Sequence, residues 1–164
     1  MSFALEISAE QWYSWRMEFR RATAADDRVI KDMIHREHLN PMQLDWRHFW
    51  LAVDSDGRVV GCAQVKTFKD GSRELASLVV DEKLRGQGLA RRLIERLQAE
   101  NSPTLYLTCR SSLQPLYQRF GFSAVSVDKM PPYYRFISRL AGWMMRLARR
   151  NETLAVMRWD GPVS

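Results

Sequence analysis

The sequence predicts an α/β fold: one domain with a mixed, mostly antiparallel central sheet flanked by helices, and an extra basic amphipathic helix before the last strand. Three observations predict it. Strand-like stretches at 48–54, 58–68 and 73–80 are joined by Asp56-Gly57 and Asp70-Gly71, the residue pairs that tight hairpin turns favour. Helical periods and short apolar strands then alternate to the end of the chain. The 164 residues are 46% hydrophobic and 27% charged, which allows one sizeable core and excludes global disorder.

Each element has a local reason. Residues 17–22 read as a first strand. Thr23 is a good N-cap for a helix over 24–38, with Asp26 and Asp27 in its first turn and Asn40-Pro41 as its stop. A short helix or loop runs through Trp46 into the three-strand meander. Leu89, Leu93, Ile94 and Leu97 share one face of a helix over 88–98. Residues 104–109 read as a strand, 112–120 as a short helix closed by Gly121, and 122–127 as a strand. Pro131-Pro132 opens a helical segment that reaches about Arg150, and 153–159 closes the chain as a strand. No repeat or low-complexity linker appears, so residues 1–16 are expected to be an N-terminal extension and 17–160 the domain.

No run of about 18 uncharged apolar residues exists, so no transmembrane helix is expected. The N-terminus has no basic n-region and carries Glu6 and Glu10, unlike a signal peptide. Cys62 and Cys109 sit in apolar strands and are expected as buried free thiols in a cytoplasmic protein, with no metal-ligand spacing around them. The net charge is +6, and between Asp128 and Arg150 there are six basic residues and one acid. Acidic ligands, nucleic acid and anionic lipid all fit such a balance. The basic stripe carries no nucleic-acid reading motif, so none is expected as a partner.

The chemistry-bearing stretch is LVVDEKLRGQGLARRLIERL, which runs strand, loop, glycine turn, amphipathic helix. Backbone N–H groups at a helix start lack internal partners and carry the positive end of the dipole. Gly86 and Gly88 let that backbone approach a phosphate, and Arg85, Arg91 and Arg92 add charge. The Lys-Ser/Thr ending of a P-loop is missing, and Arg91 stands where a dinucleotide fingerprint needs a small residue. A glycine-softened loop with a basic helix start is the plain alternative.

Arg85, Gly88 and Ala90 meet the pattern Gln/Arg-x-x-Gly-x-Gly/Ala, after a strand ending Leu78-Val79-Val80. Tyr117 precedes Gly121-Phe122 by four residues. With the order of elements, these motifs resemble the GNAT superfamily of acetyltransferases over roughly 17–127. The resemblance implies a GNAT-like domain that takes acetyl-CoA as co-substrate and needs no metal. It implies that the backbone of Leu78, Val79 and Val80 pairs with pantetheine and polarises the thioester carbonyl, while Gly86, Gln87, Gly88, Leu89, Ala90 and Arg91, beside Arg85, hold pyrophosphate. Glu74, four residues before Leu78, matches the base of histone-acetyltransferase-like members; it also reads as a strand-start glutamate beside Arg73. Tyr117 matches the proton donor to the departing thiolate, or is an aromatic packed under the cofactor. Many relatives carry Asn where this chain has Arg110, so Ser111, Ser112 or Arg110 itself is left for that contact.

His35, His38 and His48 cluster near Asn40-Pro41 without acidic or cysteine co-ligands, as surface or capping histidines do. In the last helix Arg135, Arg139, Arg146 and Arg150 form one stripe, with Arg149 beside it. Tyr133, Phe136, Ile137, Leu140, Trp143, Met144 and Leu147 form the other face. That face reads as core or acceptor lid, then as homodimer contact, then as peripheral membrane contact. The expected function is direct transfer of acetyl from acetyl-CoA to a primary amine in a ternary complex, with Glu74 or water as base and Tyr117 as acid. The alternative is a non-catalytic acyl-CoA-binding module held at a partner or membrane by the 132–150 helix.

Overall fold

The structure, a computed structural model, describes residues 17–147 and 153–161, with side chains in the last helix through Trp143. The 1–16 extension, Arg149 and Arg150, and the side chains of Met144, Arg146 and Leu147 lie outside the described residues. The strands are Glu18–Arg21 (β1), Phe49–Val53 (β2), Val59–Thr67 (β3), Arg73–Val80 (β4), Leu105–Arg110 (β5), Ser123–Ala124 (β6) and Leu154–Trp159 (β7). The helices are Asp27–Arg36 (α1), Leu89–Glu100 (α2), Gln114–Gln118 (α3) and Pro132–Leu147 (α4). The strands form a mixed, mostly antiparallel sheet in the order β1-β2-β3-β4-β5-β7-β6. The β4–β5 pair is parallel, with Glu74 opposite Tyr106. β7 runs antiparallel to both β5 and β6.

The chain divides into two units. The first holds residues 17–64 and 77–93. Here Asp26 accepts from the Thr23 backbone N–H at 2.7 Å and from its hydroxyl at 2.8 Å, and pairs with Arg20 at 2.8 and 2.9 Å. This cap starts the helical segment as a 3-10 turn over Ala24–Asp26 before α1. α1 lays Ile30, Met33 and Ile34 on Phe49, Leu51 and Val53 of β2 and Cys62 of β3. Ala52, Val60, Val80 and Leu89 make a second cluster. The helix stops at Arg36, earlier than Asn40-Pro41 suggests. His38 takes φ 52, and the Leu39 N–H returns to the Ile34 carbonyl at 3.1 Å, so His38 occupies the left-handed position usual for a C-terminal glycine.

The second unit holds residues 65–76, 94–147 and 153–161. Tyr106, Met130, Tyr134 and Val156 form its aromatic-rich core, with Phe68, Tyr133 and Ile137 packed against it. Two expectations are corrected here. The strand expected over 122–127 contracts to Ser123–Ala124, because the chain turns into a 3-10 helix at Val127–Lys129. The predicted apolar face of α4 is also divided. Tyr134 stacks on Tyr106 at 4.9 Å and is fully buried, and this turns Ile137 inward. Phe136, Leu140 and Trp143 consequently lie outside, with 66%, 45% and 63% of their surface exposed.

Candidate active site

The predicted cofactor residues all fall in the first unit, on one continuous stretch from the end of β4 to the start of α2. Inside β4, Ser77 adopts φ 56, a left-handed conformation rare for a residue with a side chain. Gln64 Nε2 donates to its Oγ at 2.9 Å, and the Cys62 thiol approaches its carbonyl at 3.7 Å. A left-handed residue within a strand breaks the alternation of faces and interrupts regular pairing. The break stands immediately before Leu78, Val79 and Val80. Behind them, Gly61 leaves room that a side chain would fill: a Cβ there would sit 3.2 Å from the Val79 carbonyl oxygen.

After β4 the chain makes a 3-10 turn over Glu82–Leu84, capped by Asp81, whose carboxylate accepts from the Lys83 N–H at 3.1 Å. Gly86 and Gly88 follow with φ 83 and 80, and a Cβ on either would meet nothing within 4 Å. The backbone is therefore both left-handed and open where a phosphate would approach. The first bond of α2 joins the Arg92 N–H to the Gly88 carbonyl. The backbone that leads into α2 therefore lies at the positive end of the helix dipole. Gln87 Oε1 is buried without a hydrogen-bond partner. Such an orphaned acceptor is what an N–H or O–H of a bound ligand would satisfy. The stretch fits coenzyme A on these grounds.

The arginines of this stretch have separate tasks. Arg85 donates through Nε to the Val80 carbonyl at 3.2 Å and pairs through Nη2 with Glu37 at 2.9 Å. Its side chain ties the loop to the end of α1, while its backbone leads into the glycines. Arg92 lies over the Phe19 ring at 4.2 Å, directed at β1. Arg91 is exposed. Beside them a groove of about 410 Å³ is lined by Met33, Arg36, Glu37, Arg58, Val79 and Lys83.

Glu74 and Tyr117 fall in the second unit. Glu74 is buried, and its Oε1 accepts from the Thr108 hydroxyl at 2.7 Å. Burial raises its pKa above the ordinary glutamate value, against the Thr108 hydrogen bond and the charge of Lys66. Lys66 is itself buried, which lowers its pKa, with Glu74 opposing the shift. Glu74 is thus not the exposed strand-start residue that its neighbour Arg73 suggests. Aromatic rings of α4 close the neighbourhood. Tyr133 stacks on Phe68 at 3.7 Å, and burial together with the nearby Glu74 charge raises the pKa of both Tyr133 and Tyr134.

Tyr117 stands on α3 with its ring edge-on to Phe122 at 6.2 Å. Burial, then the nearby Cys109, push its phenol up to about 12, so the group keeps its proton at neutral pH. Cys62 and Cys109 are both free and buried, and burial pushes Cys62 up to about 12. Arg110 is exposed at the end of β5. The Ser111 hydroxyl accepts from the Thr153 N–H at 3.3 Å, so it serves the entry to β7.

Sequence reasoning missed Lys66, Thr108, Ser77 and Glu37. A signal existed for Lys66: Gln64 and Lys66 follow Cys62 at strand spacing in an otherwise apolar strand. Thr108 and Glu37 act across long stretches of sequence, and nothing in a serine codes for a left-handed backbone.

Residues 45–124 match the family model described as an acetyltransferase (GNAT) domain. No curated protein matches the sequence. Among solved structures, N-acetylglutamate synthase from Neisseria gonorrhoeae, complexed with coenzyme A and N-acetyl-glutamate, aligns with a TM-score of 0.65 at 21% identity, over 90% of this chain and 35% of that one. The protein Rv2747 from Mycobacterium tuberculosis, in complex with CoA, aligns with a TM-score of 0.66 at 17% identity, over 87% and 98%. The ribosomal-protein-S18-alanine N-acetyltransferase from Escherichia coli aligns with a TM-score of 0.61 at 18% identity, over 90% and 96%. The chain spans about a third of the gonococcal enzyme's length, and identities this low show a shared fold. Fold, glycine stretch and family model agree: residues 45–124 match a GNAT acetyltransferase domain, and the chain has the fold of the solved acetyltransferases.

Proposed function

We propose that the protein transfers an acetyl group from acetyl-CoA directly to a primary amine. The observation that carries this reading is the open, left-handed backbone at Gly86 and Gly88 ahead of the start of α2, within the residues the family model covers. Acetyl-CoA, when bound, supplies the thioester. The chain's part is to hold pyrophosphate on the backbone of 86–91, to pair pantetheine with Leu78, Val79 and Val80, and to manage two protons.

An alkylamine has a pKa near ~10.4 and must lose a proton before its lone pair can attack. Glu74, directly or through a water, takes that proton, and its raised pKa makes it a better base than an exposed glutamate. The new bond joins nitrogen to the acetyl carbon, the carbon–sulfur bond breaks, and the sulfur leaves as a thiolate that accepts a hydrogen bond from Tyr117; the proton that the nitrogen loses on becoming an amide passes through water to that sulfur. No cysteine nucleophile is required, in keeping with the burial of Cys62 and Cys109.

The test is thiol release from acetyl-CoA over a panel of amines. The panel includes glutamate and alanine, after the N-acetyl-glutamate of the gonococcal complex and the ribosomal-protein-S18-alanine of the Escherichia coli enzyme's name, with short peptides, polyamines, aminoglycosides and arylalkylamines. An acceptor-dependent signal that weakens in Tyr117→Phe supports transfer. Silence across the panel in a preparation that binds acetyl-CoA would instead favour a binding module.

A further inference from the structure

The helix α4 is apolar on two opposite faces. Tyr134 and Ile137 pack into the second unit's core. Phe136, Leu140 and Trp143, at i, i+4 and i+7, form a stripe on the outer side that no described residue covers. At 1.5 Å per residue this stripe runs about 10 Å along the axis. Two large aromatic rings left mostly in water are costly for a surface with nothing to meet. The chemistry beside the stripe says what meets it. Arg139 is exposed on its flank; Arg135, one turn before it on the same side, is half-buried and donates through Nη2 to the Met130 carbonyl at 3.0 Å. Residues 132–147 contain no Asp or Glu.

We propose that the outer face of α4 docks on an anionic lipid surface, with Phe136, Leu140 and Trp143 entering the headgroup–acyl boundary and the arginine flank meeting lipid phosphates. Aromatic and aliphatic residues beside a one-sided cationic flank are the pattern of helices lying in the interface plane. The contact is peripheral, since among the described residues no helix is long and apolar enough to cross a membrane. A second copy of the chain fits this face less well, because pairing two such faces brings two arginine flanks together with no carboxylate on either helix. The helix is already folded on the sheet, so docking does not bear the cost of ordering it. This inference is independent of acetyl transfer.

The experiment is co-sedimentation of the full chain with phosphatidylcholine vesicles and with vesicles that also contain phosphatidylglycerol, at low and high salt. The wild type is compared with Trp143→Ser, Phe136→Ser and Arg139→Glu. Circular dichroism and acetyl-CoA binding establish that each variant is folded, and light scattering reports oligomeric state. The expected result is binding to the anionic vesicles only, weakened by salt and reduced about tenfold or more in each variant. No sedimentation with anionic vesicles at low salt overturns the proposal. So does binding that all three folded variants retain, which would place the contact elsewhere. A dimer lost in Trp143→Ser, without vesicle binding, would assign the face to a second copy, and capture by an acidic protein without vesicle binding would assign it to that protein.

Discussion

Replacing Tyr117 with phenylalanine removes one oxygen and keeps the ring against Phe122. The structure limits how much this can cost. The phenol is pushed up to about 12, whereas a thiol ionises near ~8.5. Full proton transfer from Tyr117 to a departing thiolate would therefore run uphill by roughly 3.5 powers of ten, about 5 kcal/mol. In the proposed reaction Tyr117 is therefore expected to act as a hydrogen-bond donor to developing negative charge. One such bond is worth about 1.5–3 kcal/mol. The expected loss is thus roughly 10- to 150-fold in kcat, with little change in the KM for acetyl-CoA and folding stability kept within about 0.5 kcal/mol. Thiol release at saturating acetyl-CoA, measured across pH with the acceptor the panel identifies, gives kcat and the alkaline limb together. An unchanged kcat would refute the donor role. A loss beyond about a thousandfold, with a displaced alkaline limb, would refute the hydrogen-bond account and require full proton transfer.

Glu74→Gln should lower kcat by about 10²–10⁴, and the wild-type acidic limb, absent from the variant, should lie above the ordinary glutamate range because burial raises that pKa. The sign for stability follows: the folded state keeps this proton to higher pH than the unfolded chain. Wild-type stability is then full below the unfolded value and declines as pH rises through the folded one, so thermal unfolding should shift in favour of Glu74→Gln between acid and neutral pH. Gly88→Ala, at φ 80 with open space around it, should cost roughly 1–2 kcal/mol in backbone strain alone and raise the KM for acetyl-CoA. Gly142→Ala, in open space on α4, should stabilise by about 0.5–1 kcal/mol and leave kinetics unchanged. Asp26→Asn should destabilise by about 2 kcal/mol at neutral pH by breaking the partly buried pair with Arg20. Arg20 and Thr23 hold that carboxyl well below the usual range. Denaturant melts should therefore show the wild-type advantage eroding as pH falls below about 4.

Much of this was legible because it is local. The meander carries its turns as Asp-Gly pairs, so β4 falls on 73–80 as expected. The glycine stretch precedes a strongly amphipathic helix, and α2 begins one residue from its expected start. What was not legible depends on tertiary choice. On α4, the stripe through Tyr134 and Ile137 and the stripe through Phe136, Leu140 and Trp143 have similar hydropathy and the same period. Only the stacking of Tyr134 on Tyr106 decides which one faces the core. The end of α1 depends on a histidine taking a glycine's conformation. Glu74 looked exposed because its burial comes from β5 and α4, which lie far along the chain.

Arg85 and Glu37 have a consequence for how coenzyme affinity is set. An ion pair half open to water is worth only about 0–1 kcal/mol. In the proposed function, a guanidinium passed from Glu37 to a phosphate would give up little and would keep most of the new attraction. Because Glu37 closes α1, any change that shifts the last turn of that helix also changes the charge offered to an incoming diphosphate. If the proposed function holds, coenzyme affinity would be tuned in part from an element that carries none of the glycine signature.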